Sequence, residues 1–166
     1  LNFNVSRVPG LLGGAVEVGA NPVSRPDAGV TLAPAAYSVI NNLPSGTVEL
    51  WTKMHEPSTI GNMSHTFTVK QTNGSDTAFW FAVTRGETLN LWHPGNFLSE
   101  CTSPIAIDPD RWYHLTATWD PSSEKIYVDG VLKKNCGASS PVGNNPSPTC
   151  LSIAGGCGDV TNSGRR

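Results

Sequence analysis

The sequence predicts an all-β protein, a single antiparallel β-sandwich, and three observations carry that prediction. Apolar residues alternate with polar ones over short segments along much of the chain, the period of a strand whose two faces meet different surroundings. The dipeptides Asn73-Gly74 and Asp129-Gly130 each stand between two such segments. Both tolerate the positive φ that a type I′ hairpin turn requires at its two central positions. No stretch of twelve residues carries an i, i+3, i+4 apolar stripe free of Gly or Pro, so helices are not expected.

In chain order, residues 15–18 and 29–32 are short apolar segments on either side of a proline-rich stretch at 21–27, and predict weak strands. Residues 47–54 place Val48, Leu50 and Met54 on one face and Glu49 and Lys53 on the other. Residues 66–70 alternate Phe67 and Val69 with threonines. Residues 77–84 are aromatic and apolar on both faces, as in a strand buried on both sides. Residues 89–92 predict a short strand. Residues 112–119 set Tyr113, Leu115, Ala117 and Trp119 against His114, Thr116 and Thr118. Turn-forming clusters flank that strand: Asp108-Pro109-Asp110 before it, and Asp120-Pro121-Ser122-Ser123 after it. Residues 125–134 are two strands split by Asp129-Gly130. Residues 137–149 predict a long loop, whose freedom a neighbouring disulfide limits. Strands about eight to twelve residues apart, each pair separated by a turn signal, fit a sandwich or barrel. No repeat or linker divides the chain, so residues 1–166 read as one domain.

Composition narrows the setting. Only 14% of residues are charged, against about 25% in typical soluble domains. The surface therefore leans on Ser, Thr, Asn and Gly, as in secreted β-proteins. A net charge of −2 without a basic block argues against nucleic acid as a partner. The apolar runs are too short for a membrane span. The chain starts at Leu1, so either a leader has been removed or the chain is a piece of a longer one. Four cysteines, Cys101, Cys136, Cys150 and Cys157, lack Cys-x-x-Cys spacing and sit among Gly, Asn and Pro. They read as two disulfides in an oxidising compartment. Three connectivities are open; the favoured one joins Cys101 to Cys136 and Cys150 to Cys157. Asn4, Asn62 and Asn73 each begin an Asn-x-Ser sequon and are candidate N-glycosylation sites. Together these features predict an extracellular or cell-surface protein.

The block Arg111-Trp-Tyr-His-Leu-Thr-Ala-Thr-Trp-Asp120, followed by Lys125-Ile-Tyr-Val-Asp-Gly-Val-Leu132, resembles the laminin-G-like and pentraxin-like domains of the concanavalin-A-like lectin/glucanase superfamily. Gly46-Thr-Val-Glu-Leu-Trp-Thr-Lys53, Gly13-Gly-Ala-Val-Glu-Val18 and Leu151-Ser-Ile-Ala-Gly-Gly156 are consistent with its other strands. The resemblance spans residues 13–156 and implies a jelly-roll sandwich. Relatives end in a further strand that this chain lacks, since it runs out at Asp159-Val-Thr-Asn-Ser-Gly-Arg-Arg166. The expectation is an unpaired sheet edge, closed by another protein chain, a second copy or residues 1–8 through strand addition.

The same resemblance raises three chemistries. Sandwich glycosidases need two carboxylates about 5 Å apart, usually as a Glu-x-Asp-x-x-Glu strand. Here Glu49 is alone in its strand, so no catalytic residue is assigned and an enzyme is not expected. Asp108 and Asp110 read as turn formers. The residues themselves demand no cofactor. Calcium, which laminin-G-like domains often bind through Asp side chains and carbonyls, has Asp27, Asp76 and Asp159 as candidate loop ligands. A sugar site has Trp92, His93 and Asn96 as candidates, in the Trp-His-Pro-Gly-Asn loop. His55, His65, His93 and His114 are too scattered for a local zinc motif. The expected role is an extracellular structural or adhesion module acting through protein–protein contacts in a larger assembly. A carbohydrate-binding lectin module is the alternative, with glycan as partner, and a glycoside hydrolase remnant comes third.

Overall fold

A computed structural model describes residues 5–18, 30–31, 43–54, 64–71, 77–84, 88–92, 101–106, 108–137 and 148–153. Among them are twelve strands and no helix: β1 (Val5–Gly10), β2 (Gly13–Val18), β3 (Val30–Thr31), β4 (Gly46–Lys53), β5 (Ser64–Gln71), β6 (Thr77–Thr84), β7 (Thr88–Trp92), β8 (Cys101–Pro104), β9 (Trp112–Asp120), β10 (Ser123–Val128), β11 (Val131–Asn135) and β12 (Pro148–Ile153). They form a four-stranded sheet in the order β11-β10-β9-β4, a six-stranded sheet in the order β3-β12-β5-β6-β7-β8, and a two-stranded β1-β2 sheet. Every pairing is antiparallel.

The two larger sheets share one core. Phe81, Val83, Leu89, Leu91 and Cys101 of the six-stranded sheet join Tyr113, Leu115, Ala117, Trp119, Ile126 and Val128 of the four-stranded sheet in a single buried cluster. Strand β9 shows the cause. Its odd-numbered residues from Tyr113 to Trp119 are buried, and the residues between them are half-buried. A one-residue slip would put the entire apolar set in water, so the register is tightly specified. Each fully buried Leu, Ile or Phe adds about 1.5–3 kcal/mol of transfer free energy. Trp119 needs more than burial. Its indole Nε1–H donates to the Leu43 carbonyl at 3.2 Å. Its ring covers Gly46, opposite it on β4, where a Cβ would overlap the indole.

The Asp129-Gly130 pair makes the turn its sequence predicts, with φ of 51° and 75° and Val128 opposite Val131. The same aspartate ties the β10–β11 hairpin to β9. Its Oδ1 accepts the His114 backbone N–H at 2.9 Å, its Oδ2 accepts Arg111 Nη2 at 2.7 Å, and its own N–H donates to the His114 carbonyl at 2.8 Å. The turn before β9 is held by the Asp108 N–H donating to Tyr113 Oη at 2.7 Å and by Asp110 N–H donating to the Met54 carbonyl at 2.7 Å. Asp108 and Asp110 are thus turn residues, as their setting beside Pro109 predicts. Strands β5 and β6 pair as the Asn73-Gly74 hairpin requires, and the turn itself lies outside the described residues.

Cys101 and Cys136 form a disulfide, with Cα atoms 5.6 Å apart. It joins the edge strand β8 to the residue after the edge strand β11. Cys150 lies in β12 and Cys157 outside the described residues, so the second expected bridge falls beyond them. Three details differ from expectation. The loop expected over 137–149 ends early, because β12 begins at Pro148. Strand β8 follows no alternation visible in Cys-Thr-Ser-Pro. Among the described residues, Val5–Gly10 pairs with β2 in a separate two-stranded sheet and adds to neither larger one, while residues 1–4 of the expected closing segment lie outside them. Among the described residues no strand pairs with the outer edge of β4, and no helix is long and apolar enough to cross a membrane.

Candidate functional site

Because Tyr113, Leu115, Ala117 and Trp119 point into the core, the alternate residues of β9 face away from the six-stranded sheet. The register then assembles one outward face. Thr47 of β4 lies opposite Thr118, Glu49 opposite Thr116, Trp51 opposite His114, and Lys53 opposite Trp112. From the other side, β10 sets Tyr127 opposite Thr116 and Lys125 opposite Thr118, and β11 adds Leu132 opposite Tyr127. Four strands at about 4.8 Å spacing make a platform roughly 14 Å across.

The β4 margin of the platform is aromatic. Trp51 is 44% exposed, although tryptophan is usually largely covered. One side of its indole rests on the His114 imidazole, with ring centroids 4.9 Å apart and planes 32° apart. His114 Nε2 stands 3.7 Å from Glu49 Oε2, an ion pair when the imidazole is protonated but too long for a hydrogen bond. The Glu49 side chain is 67% exposed. Two residues further along β4, Lys53 Nζ lies 5.7 Å over the Trp112 ring. A strand rises about 3.4 Å per residue, so Glu49, Trp51 and Lys53 form a row of acceptor, apolar face and donor.

The other described carboxylates of this sheet are occupied. Asp129 and Asp108 both face Arg111, at 2.7 and 3.6 Å. Asp120 closes the turn after β9. Its oxygens accept the Ser122 hydroxyl and N–H and the Ser123 N–H and hydroxyl, and these bonds, Ser122's first, hold its carboxyl at about 2. Glu124 is buried beneath the platform. Among the described residues no three His, Cys, Asp or Glu side chains cluster to hold a metal. The platform offers stacking and hydrogen bonding, with no paired nucleophile and base.

Most residues singled out from the sequence fall elsewhere. Trp92 ends β7, with Trp80 of β6 opposite it in register; His93 and Asn96 lie outside the described residues. So do Asn4, Asn62 and Asn73, and the calcium candidates Asp27, Asp76 and Asp159. Sequence reasoning missed Trp51 as a site residue and read His114 only as a polar-face position of its strand, outside any local zinc motif. The available signal was parity: Trp51 shares its face with Glu49 and Lys53, the side of β4 already read as polar.

The family model that matches, over residues 25–159, is described as the concanavalin A-like lectin/glucanases superfamily. Among solved structures, the chain is similar to domain 4 of AbnA, a GH43 extracellular arabinanase from Geobacillus stearothermophilus, in complex with arabinotriose. The TM-score is 0.62 at 18% identity, over 92% of this chain and 66% of that one, so this chain spans just under two thirds of that structure. It is also similar to the Ruminococcus gnavus IT-sialidase CBM40, with a TM-score of 0.62 at 14% identity over 76% of this chain and 72% of that one. The same module bound to α2,3 sialyllactose matches equally well, at 14% identity, 76% and 72% coverage and a TM-score of 0.62. Identities this low carry the shared fold alone. No curated protein matches the chain.

Proposed function

We propose that this chain, which belongs to the concanavalin A-like lectin/glucanases superfamily, is a non-catalytic carbohydrate-binding module of an extracellular protein. Its glycan site would be the outward face of the four-stranded sheet. One observation carries this reading: Trp51, on a paired strand of the sheet, has the His114 imidazole against its ring and is still 44% exposed. An apolar sugar-ring face stacks on such a surface, while Glu49, Lys53 and the threonines meet its hydroxyls. The Cys101–Cys136 bridge suits an oxidising compartment. The folds similar to this one include a module named as carbohydrate-binding.

The test is a glycan array followed by calorimetric titration of each hit. Wild type binds at least one glycan class. Trp51→Ala, at a half-exposed position, weakens that binding by about tenfold or more and leaves the far-UV spectrum unchanged. Trp92→Ala serves as the comparison for the loop after β7. Absence of any glycan binding by wild type, or an undiminished affinity in Trp51→Ala, overturns the proposal.

A second reading, adhesion through protein contacts, rests on a different observation. Val131 and Leu132 on the edge strand β11, and Leu11 and Leu12 at the tip of the β1–β2 hairpin, are exposed apolar side chains. Concentration-dependent association in sedimentation equilibrium, with no glycan binding, would favour it.

A further inference from the structure

We infer that Glu49, Trp51 and His114 form one subsite selecting a neutral, polyhydroxylated pyranose ring over an acidic sugar. This rests on the carbohydrate reading above and adds the chemical class of the ligand. The three residues come from two neighbouring strands and are fixed by register, with Trp51 opposite His114 and Glu49 opposite Thr116. His114 occupies one face of the indole. The ligand therefore takes the other face, between Glu49 and Lys53 along the strand.

The charges on either side of that ring differ in how far they are committed. Lys53 keeps its charge, but its Nζ reaches across to the Trp112 ring of β9, the strand that also carries His114. Glu49 projects into solvent, and its nearest partner is His114 at 3.7 Å, which leaves both carboxylate oxygens able to accept hydrogen bonds. An ionised carboxylate accepts from adjacent hydroxyls in bonds about twice as strong as neutral ones. The same negative charge repels a uronate or sialate carboxylate brought against it. His114 acts as a positioning residue: its ring backs the indole, and its own backbone is clamped by Asp129 on both its N–H and its carbonyl. The subsite is thus rigid before the ligand arrives, which lowers the entropic cost of binding.

The experiment compares wild type, Glu49→Gln and Trp51→Ala on one array carrying cellohexaose and xylohexaose as neutral probes and hexagalacturonate and sialyllactose as acidic ones. Glu49 is exposed, so Glu49→Gln keeps the wild-type melting curve. The expected result is that wild type prefers neutral probes. Glu49→Gln weakens them about tenfold, the equivalent of one charge-assisted hydrogen bond, and narrows the gap to the acidic probes. Unchanged neutral-probe affinity in Glu49→Gln, or a wild type that prefers the acidic probes, overturns the inference, while the loss in Trp51→Ala leaves the carbohydrate reading standing. Failure of wild type to bind any probe on the full array overturns both.

Discussion

Asp120 shows how a single side chain can define a turn. Pro121 shapes the backbone after it, and its carboxylate takes hydrogen bonds from both serines that follow. Those donors favour the ionised form, which is why the carboxyl sits at about 2 instead of near 3.8. The sign follows from the depressed value. The contribution of this group to folding is complete above its unfolded value and is lost as pH falls through about 2 in the folded state. Ser122→Ala, which removes the largest cause, should raise the Asp120 midpoint toward 3.8 in a carboxyl NMR titration; an unmoved midpoint would assign the shift elsewhere. At this scale the sequence was legible wherever the chemistry is local. Asp-Pro-Ser-Ser announces its turn, and Asp129-Gly130 its two positive φ angles. Trp51 was not legible as a site residue, because its partner His114 is 63 positions away and only the β4–β9 register makes them neighbours.

Strand β9 was visible almost residue for residue, since its two faces meet core and solvent and its sequence alternates accordingly. Strand β8 was not, since Cys-Thr-Ser-Pro buries Cys101 and Ser103 and a buried serine carries no apolar signal. Strand β1 was expected only as an edge-closing strand from residues 1–8, since Pro9 and Gly10 break its pattern; it pairs instead with β2, and both residues are tolerated in a two-stranded ribbon. The β10–β11 hairpin depends on one residue for its attachment to β9. Asp129→Ala removes the acceptor for the His114 N–H and for Arg111, and puts an alanine at a φ of 51°. The Arg111 pair is half-exposed, so it contributes little; the lost backbone acceptor and the left-handed conformation bring the total to about 2 kcal/mol. Urea denaturation should show that loss, with Asp129→Asn losing less than half of it because the amide oxygen and the turn preference survive. Equal losses in the two variants would contradict this account of the hairpin.

For the molecule as a whole, the fold class was legible and the site was not, for one physical reason. Burial writes its period into core strands such as β9 and β10, whereas a binding surface is written once, across strands far apart in sequence. The disulfide stands between these cases: four cysteines announced cross-links, and geometry chose Cys101–Cys136, 35 residues apart. In the chain-entropy account, a loop of that length is worth about 4 kcal/mol. The double variant Cys101→Ala/Cys136→Ala should lose stability of that order in chemical denaturation, and a loss well under about 1 kcal/mol would show that the unfolded chain gains little freedom from the cut. The bridge also makes the sandwich lopsided. It rivets β8 to the end of β11 along one flank, while β4 sits at the far margin of its sheet. The β4 margin, where Trp51 lies, has no covalent tie of that kind among the described residues. A sugar ring stacked on Trp51 would therefore meet the sheet at the margin opposite its cross-link and leave the bridged flank untouched.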